Sequence, residues 1–142
     1  MYLTLVHESL LVTAYYRGGN PDDGVWGSNC DQVVTLSLFY TGEIPFEECA
    51  ERFSRRSYVG GLYDSNGQLN ATVKTRYRAL IELIRGQPDL IQGGGDLNRP
   101  ADPTYTSCRL THAGGEIAAT LISRFPRKPD FPNWPDRCAF SV

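Results

Sequence analysis

Lys74, Thr75 and Arg78 lie within five consecutive positions, on a segment whose apolar residues recur at helical spacing. Residues i and i+4 of a helix share one face, and the threonine between them borders it. Two cations and a hydroxyl so placed suit the chemistry of a nucleic-acid duplex. Arginine and lysine reach phosphates or guanine edges, and threonine meets a phosphate or the methyl group of thymine. Thr72 and Arg76 flank this group, and Arg52, Arg55 and Arg56 precede it as a second basic cluster, suited to flanking backbone phosphates.

Elements must hold these side chains in place. Val73, Tyr77, Leu80, Ile81 and Ile84 form the apolar stripe of a helix over 71–85, with Asn70 as its cap and Gly86 and Pro88 as its end. Leu3, Val6, Leu10 and Ala14 mark an earlier amphipathic helix over 2–17, a candidate for core packing or a dimer interface. Ser28-Asn29 caps a helix over 30–41 with Asp31 in its first turn. Val34, Leu36, Leu38 and Tyr40 also alternate as in a strand; the Gly42–Pro45 junction favours the helix. Pro45 opens a short helix that buries Phe46, Cys49, Ala50 and Phe53 and ends near Arg55.

Residues 56–69 form a connection rich in Gly, Ser, Asp and Asn. Asp89–Gln92 reads as a short strand, Gly93 to Pro103 as an irregular tip, and Thr104–Thr111 as a returning strand. Thr111 caps a last helix over 112–125, with Ile117, Ala118, Leu121, Ile122 and Phe125 on its buried face. The fold class is therefore mainly α with a small β-hairpin (α+β), in one domain over 1–125.

Pro126, Pro129, Pro132 and Pro135 follow at the three-residue period of polyproline II, making 126–142 an extended arm. Phe131 and Trp134 are its anchors, either in grooves of its own domain or on a protein partner.

Composition narrows the function classes. The 142 residues are 41% hydrophobic and 21% charged, as in an ordinary globular domain. The net charge of −2 argues against wholesale binding to polyanions, but charge is segregated. Residues 1–50 hold one base and seven acids, a net of −6, whereas 51–86 hold seven bases and three acids, a net of +4. A polyanion senses the local field rather than the total. No apolar run reaches the roughly 18 residues of a membrane span, and the N-terminus lacks the basic region of a signal peptide, so a cytoplasmic protein is expected. Phosphate-loop, zinc-protease and nucleophile-elbow motifs are missing, so no enzyme and no cofactor are expected. Cys30, Cys49, Cys108 and Cys138 read as free thiols; Cys108-x3-His112 alone has a zinc-compatible spacing.

Three passages resemble winged helix-turn-helix domains of small bacterial regulators of the MarR and PadR types. Thr35-Leu-Ser-Leu-Phe-Tyr-Thr-Gly-Glu-Ile-Pro-Phe-Glu-Glu-Cys-Ala-Glu-Arg-Phe53 is similar to the family's first helix, turn and second helix. Asn70-Ala-Thr-Val-Lys-Thr-Arg-Tyr-Arg-Ala-Leu-Ile-Glu-Leu-Ile84, followed by Asp89-Leu-Ile91, resembles a recognition helix entering the first wing strand. Cys108-Arg-Leu-Thr-His-Ala-Gly-Gly-Glu-Ile-Ala-Ala119 resembles the step from the second wing strand into the last helix.

The resemblance implies a winged-helix core over 30–125, with the helix over 2–17 as an extra element and 126–142 as the arm. It further implies a sequence-specific regulator of transcription, homodimeric and bound to double-stranded DNA. Helix 71–85 would then enter the major groove, with the hairpin 89–111 as the wing. The DNA-binding residues would be Arg52, Arg55, Arg56, Thr72, Lys74, Thr75, Arg76 and Arg78. A winged-helix adaptor in a larger assembly, using the arm and the acidic N-terminal half, is the alternative.

Overall fold

The computed structural model describes residues 2–18, 28–54, 71–96 and 104–126. In chain order the elements are α1 (Leu5–Gly18), β1 (Ser28–Asn29), α2 (Cys30–Tyr40), α3 (Phe46–Ser54), α4 (Ala71–Gly86), β2 (Ile91–Asp96), β3 (Thr104–Leu110) and α5 (His112–Leu121). Among the described residues the protein is mainly helical with one small antiparallel sheet, an α+β arrangement. Asn70, the residues 56–69 and the arm beyond Pro126 lie outside the described residues.

α1 begins at Leu5 because Thr4 caps it. The Thr4 hydroxyl accepts from His7 N–H at 3.3 Å, and the His7 ring accepts from Thr4 N–H at 3.1 Å. This is a reciprocal capping box with histidine in the third position. The expected one-sided stripe is incomplete, since every residue from Ser9 to Ala14 is buried, as is Tyr16. α1 is the central helix, packed by α2, α4, α5 and β3. Its polar members tolerate burial because backbone carbonyls accept their hydroxyl protons. Ser9 donates to Val6 O at 2.8 Å, and Thr13 lies within reach of Leu10 O and Val33 O. Residues 9–14 are enclosed by the chain itself, the core-packing role expected of this helix, while Leu5 in its first turn stays exposed.

α2 follows β1 directly. Asn29 occupies the N-cap position as expected, though its side chain makes no cap bond. Ser28 and Asn29 pair with Cys108 and Ser107 of β3, making β1 an edge of a three-stranded sheet ordered β1-β3-β2. Pro45 O accepts from Cys49 N–H at 3.1 Å as α3 starts.

The glycine run does not form an irregular tip. Gly93, Gly94 and Gly95 are part of β2, paired in turn with Cys108, Ser107 and Tyr105, with a bulge between Gly94 and Gly95. The Tyr105 ring lies so close over Gly93 that an added Cβ would stand 2.2 Å from its Cδ1. Glycine is required here because an aromatic ring occupies the place of its side chain.

Thr111 caps α5 as expected, accepting from Gly114 N–H at 3.0 Å. The helix stops at Leu121 rather than near 125, and Gly114, Gly115 and Ala118 are its buried residues. Phe125 is buried just beyond it in a satellite cluster with Val12 and Tyr16. Tyr16 donates to Phe125 O at 2.6 Å and Tyr40 to Pro126 O at 2.9 Å, so two tyrosines fix the chain at the point where the arm begins.

Asp31, in the first turn of α2, is pushed up to about 6, first by burial and only partly offset by backbone N–H groups and by Arg17. The folded state therefore holds this proton to a higher pH than the unfolded state does. Stability falls as pH rises from about 4, the ordinary aspartate value, through the folded value near 6. Asp31→Asn is expected to match wild type below about pH 4 and to exceed it at pH 7.5 by about 1 kcal/mol, solvent screening part of the effect. Urea unfolding at the two pH values checks this; an Asp31→Asn protein less stable than wild type at pH 7.5 contradicts it.

Candidate nucleic-acid interface

α4 divides its residues between two faces. Val73, Leu80, Leu83 and Ile84 are buried toward the core, where α4 packs against α2, α1 and β2. Ala71, Thr72, Lys74, Thr75, Arg78, Glu82 and Arg85 are exposed. Tyr77 and Ile81 are half-buried at the boundary, and the Tyr77 hydroxyl donates to Tyr105 O in β3. The helix that carries the cations is thus bonded both to the core and to the hairpin.

Among the expected site residues, Thr72, Lys74, Thr75 and Arg78 come together on the exposed side, most of them in the first two turns. No hydrogen bond or ion pair holds the side chain of Lys74 or Arg78 to any described residue. Thr75 donates its hydroxyl proton to Ala71 O at 3.0 Å.

Arg76 is a correction. Its side chain is only 6% exposed and points into the protein. One guanidinium nitrogen donates to Ser37 Oγ at 2.8 Å and Thr41 Oγ1 at 3.1 Å, and the other is paired with Glu43. Ser37 in turn lies 2.6 Å from Ser9 Oγ. Hydrogens satisfy every contact when Arg76 donates to Ser37, Ser37 to Ser9, and Ser9 to Val6 O. The signal was present in the sequence. Val73, Arg76, Leu80 and Leu83 follow one another at spacings of 3, 4 and 3, which puts the arginine on the buried stripe.

Glu43, Ala71, Thr72, Thr75 and Arg76 line an open hollow of about 290 Å³ beside the start of α4. Its two charged side chains already neutralise each other.

Arg52 belongs to α3, but its side chain lies outside the described residues, as do Arg55, Arg56, Phe131 and Trp134. Cys108 and His112 do not converge. Cys108 is buried in the sheet beside Cys30, whose thiol is pushed up by a hydrogen bond to Cys108 and by burial, whereas His112 is exposed and paired with Glu116 at 2.9 Å. Among the described residues no cluster of three or more His, Cys, Asp or Glu side chains is arranged to hold a metal ion. No described helix is long and apolar enough to cross a membrane.

No family model, no curated protein and no solved structure matches the chain.

The two faces of α4 predict opposite mutational outcomes. Glu43→Ala leaves the buried Arg76 charge without its counter-ion. Because Glu43 is itself 42% exposed, the expected loss is about 1–2 kcal/mol rather than the roughly 3–5 of a fully buried pair. Lys74→Ala and Arg78→Ala are each expected to stay within about 0.5 kcal/mol of wild type, as exposed positions do. Urea denaturation measures all three, and similar losses throughout would contradict this division of the helix.

Proposed function

We propose that this protein is a sequence-specific, double-stranded-DNA-binding regulator of transcription that inserts the exposed face of α4 into the major groove. The carrying observation is the pair Lys74 and Arg78, exposed in the N-terminal half of a helix whose opposite face is anchored in the core. A helix held in this way can approach base edges without losing its packing. Its two cations meet phosphates or guanines, and release of counterions from the duplex supplies the sequence-independent part of the affinity.

The order α2, α3, α4, β2, β3, α5 supports reading the core as a winged helix, with the β2–β3 hairpin as the wing. One feature departs from a bare hairpin wing: β1, which precedes α2, adds a third strand on the far side of β3. The wing then contributes to positioning through its backbone and through exposed Arg109 rather than through a basic tip. The homodimer that such a regulator implies belongs to the same proposal, as does a cytoplasmic location. Its contact surface would lie outside the enclosed middle of α1.

A second reading, an adaptor that offers its Pro-rich arm to a protein partner, is favoured by the clamp on Phe125 and Pro126. Two tyrosine hydroxyls there fix the backbone of the two residues that precede position 127.

Fluorescence anisotropy with a random duplex, over a salt series, tests the first reading. Wild type is expected to bind at low salt and to weaken steeply as salt rises. Lys74→Ala/Arg78→Ala is expected to lose slope by about 0.9 for each phosphate contact removed. Absence of wild-type binding at low salt would overturn DNA binding and direct attention to partners of the arm.

A further inference from the structure

We infer that Thr75 reads thymine through its methyl group, so that the duplex preferred by α4 carries thymine beside guanine. This rests on the DNA-binding reading above and names the bases that the same surface selects.

A threonine hydroxyl has one proton to give. In Thr75 that proton goes to Ala71 O at 3.0 Å, although the side chain is exposed. While that bond is kept, a phosphate oxygen, which only accepts, receives no proton from Thr75. The side chain still presents its methyl group and the hydroxyl lone pairs. Ala71, one turn earlier and also exposed, adds a second methyl group on the same side. The rotation of the helix that turns these groups outward is set by the next residue, since Arg76 is fixed inward by Ser37, Thr41 and Glu43.

The surrounding chemistry narrows the choice of base. Lys74 and Arg78, on the same exposed side, supply donors, which match the two acceptors on the major-groove edge of guanine. The segment Ala71–Gly86 contains no asparagine or glutamine, the side chains that pair in two-bonded fashion with adenine. A methyl group placed beside the donors of Lys74 and Arg78 matches the C5-methyl of thymine, the apolar feature of the major groove.

The test uses the full-length protein and two labelled duplexes. One is recovered from a random library by the protein itself. The other is the same duplex with deoxyuridine replacing thymidine, which removes the methyl group and leaves the hydrogen-bonding groups intact. Wild type is expected to bind the uracil duplex about fourfold more weakly, the worth of one methyl group withdrawn from an apolar contact. Thr75→Val should retain the difference and Thr75→Ser should abolish it.

Equal wild-type affinity for the two duplexes overturns the methyl contact while leaving DNA binding standing. A preference that survives in Thr75→Ser belongs to another residue and overturns the assignment to Thr75. Failure to recover or bind any duplex overturns the DNA-binding reading and this inference with it.

Discussion

The Arg76 guanidinium is the constraint around which the rest of this molecule is arranged. A charge taken out of water is costly unless each of its donors finds an acceptor. Here the acceptors come from the end of α2, from Thr41 and from Glu43 in the turn toward α3, and the chain of hydroxyls continues through Ser37 to Ser9 of α1. Three helices are held in register by one side chain. Apolar packing alone sets an approximate angle between helices; directional bonds set a rotation. The rotation of α4 decides which residues face solvent, and so whether Lys74, Thr75 and Arg78 act together.

The sheet secures the helix at the next residue, Tyr77. Tyr105 in β3 lies over Gly93 in β2, and its carbonyl accepts from Tyr77 of α4. A side chain at Gly93 would displace that ring, so the glycine run serves close packing within the hairpin rather than freedom at its tip. At the opposite side Tyr16 and Tyr40 hold the backbone of Phe125 and Pro126, closing the small cluster that seals α1. Backbone carbonyls held by tyrosine hydroxyls recur at both places, beside the bulge of the hairpin and beyond the end of α5.

The helices were legible wherever one apolar period and a terminator coincided. α2, α3 and α4 follow the expected spans closely, because Gly42, Pro45 and Gly86 punctuate clear stripes. Reading failed where local patterns were overruled by contacts distant in sequence. β1 has only two residues, too few to show alternation, and exists because β3 offers it partners. Gly93–Gly95 argues locally against a strand, and only Tyr105, ten or more residues later, explains it. α1 shows one stripe but is enclosed on every side over Ser9–Ala14, since Ser9 and Thr13 bond to nearby carbonyls and count as core. The exposed part of the site was readable from residue type and spacing. At Arg76 charge points to solvent and position on the buried stripe points to the core, and position prevails because Ser37, Thr41 and Glu43 supply acceptors.

The most direct test of α4 as the DNA-facing element is a backbone chemical-shift map of the full-length, ¹⁵N-labelled protein titrated with a short random duplex at low salt. With α4 in the groove, the largest changes fall on Ala71–Arg78 and the facing hairpin, while the enclosed middle of α1 stays still. Changes centred on another element, with Lys74, Thr75 and Arg78 unmoved, would contradict it.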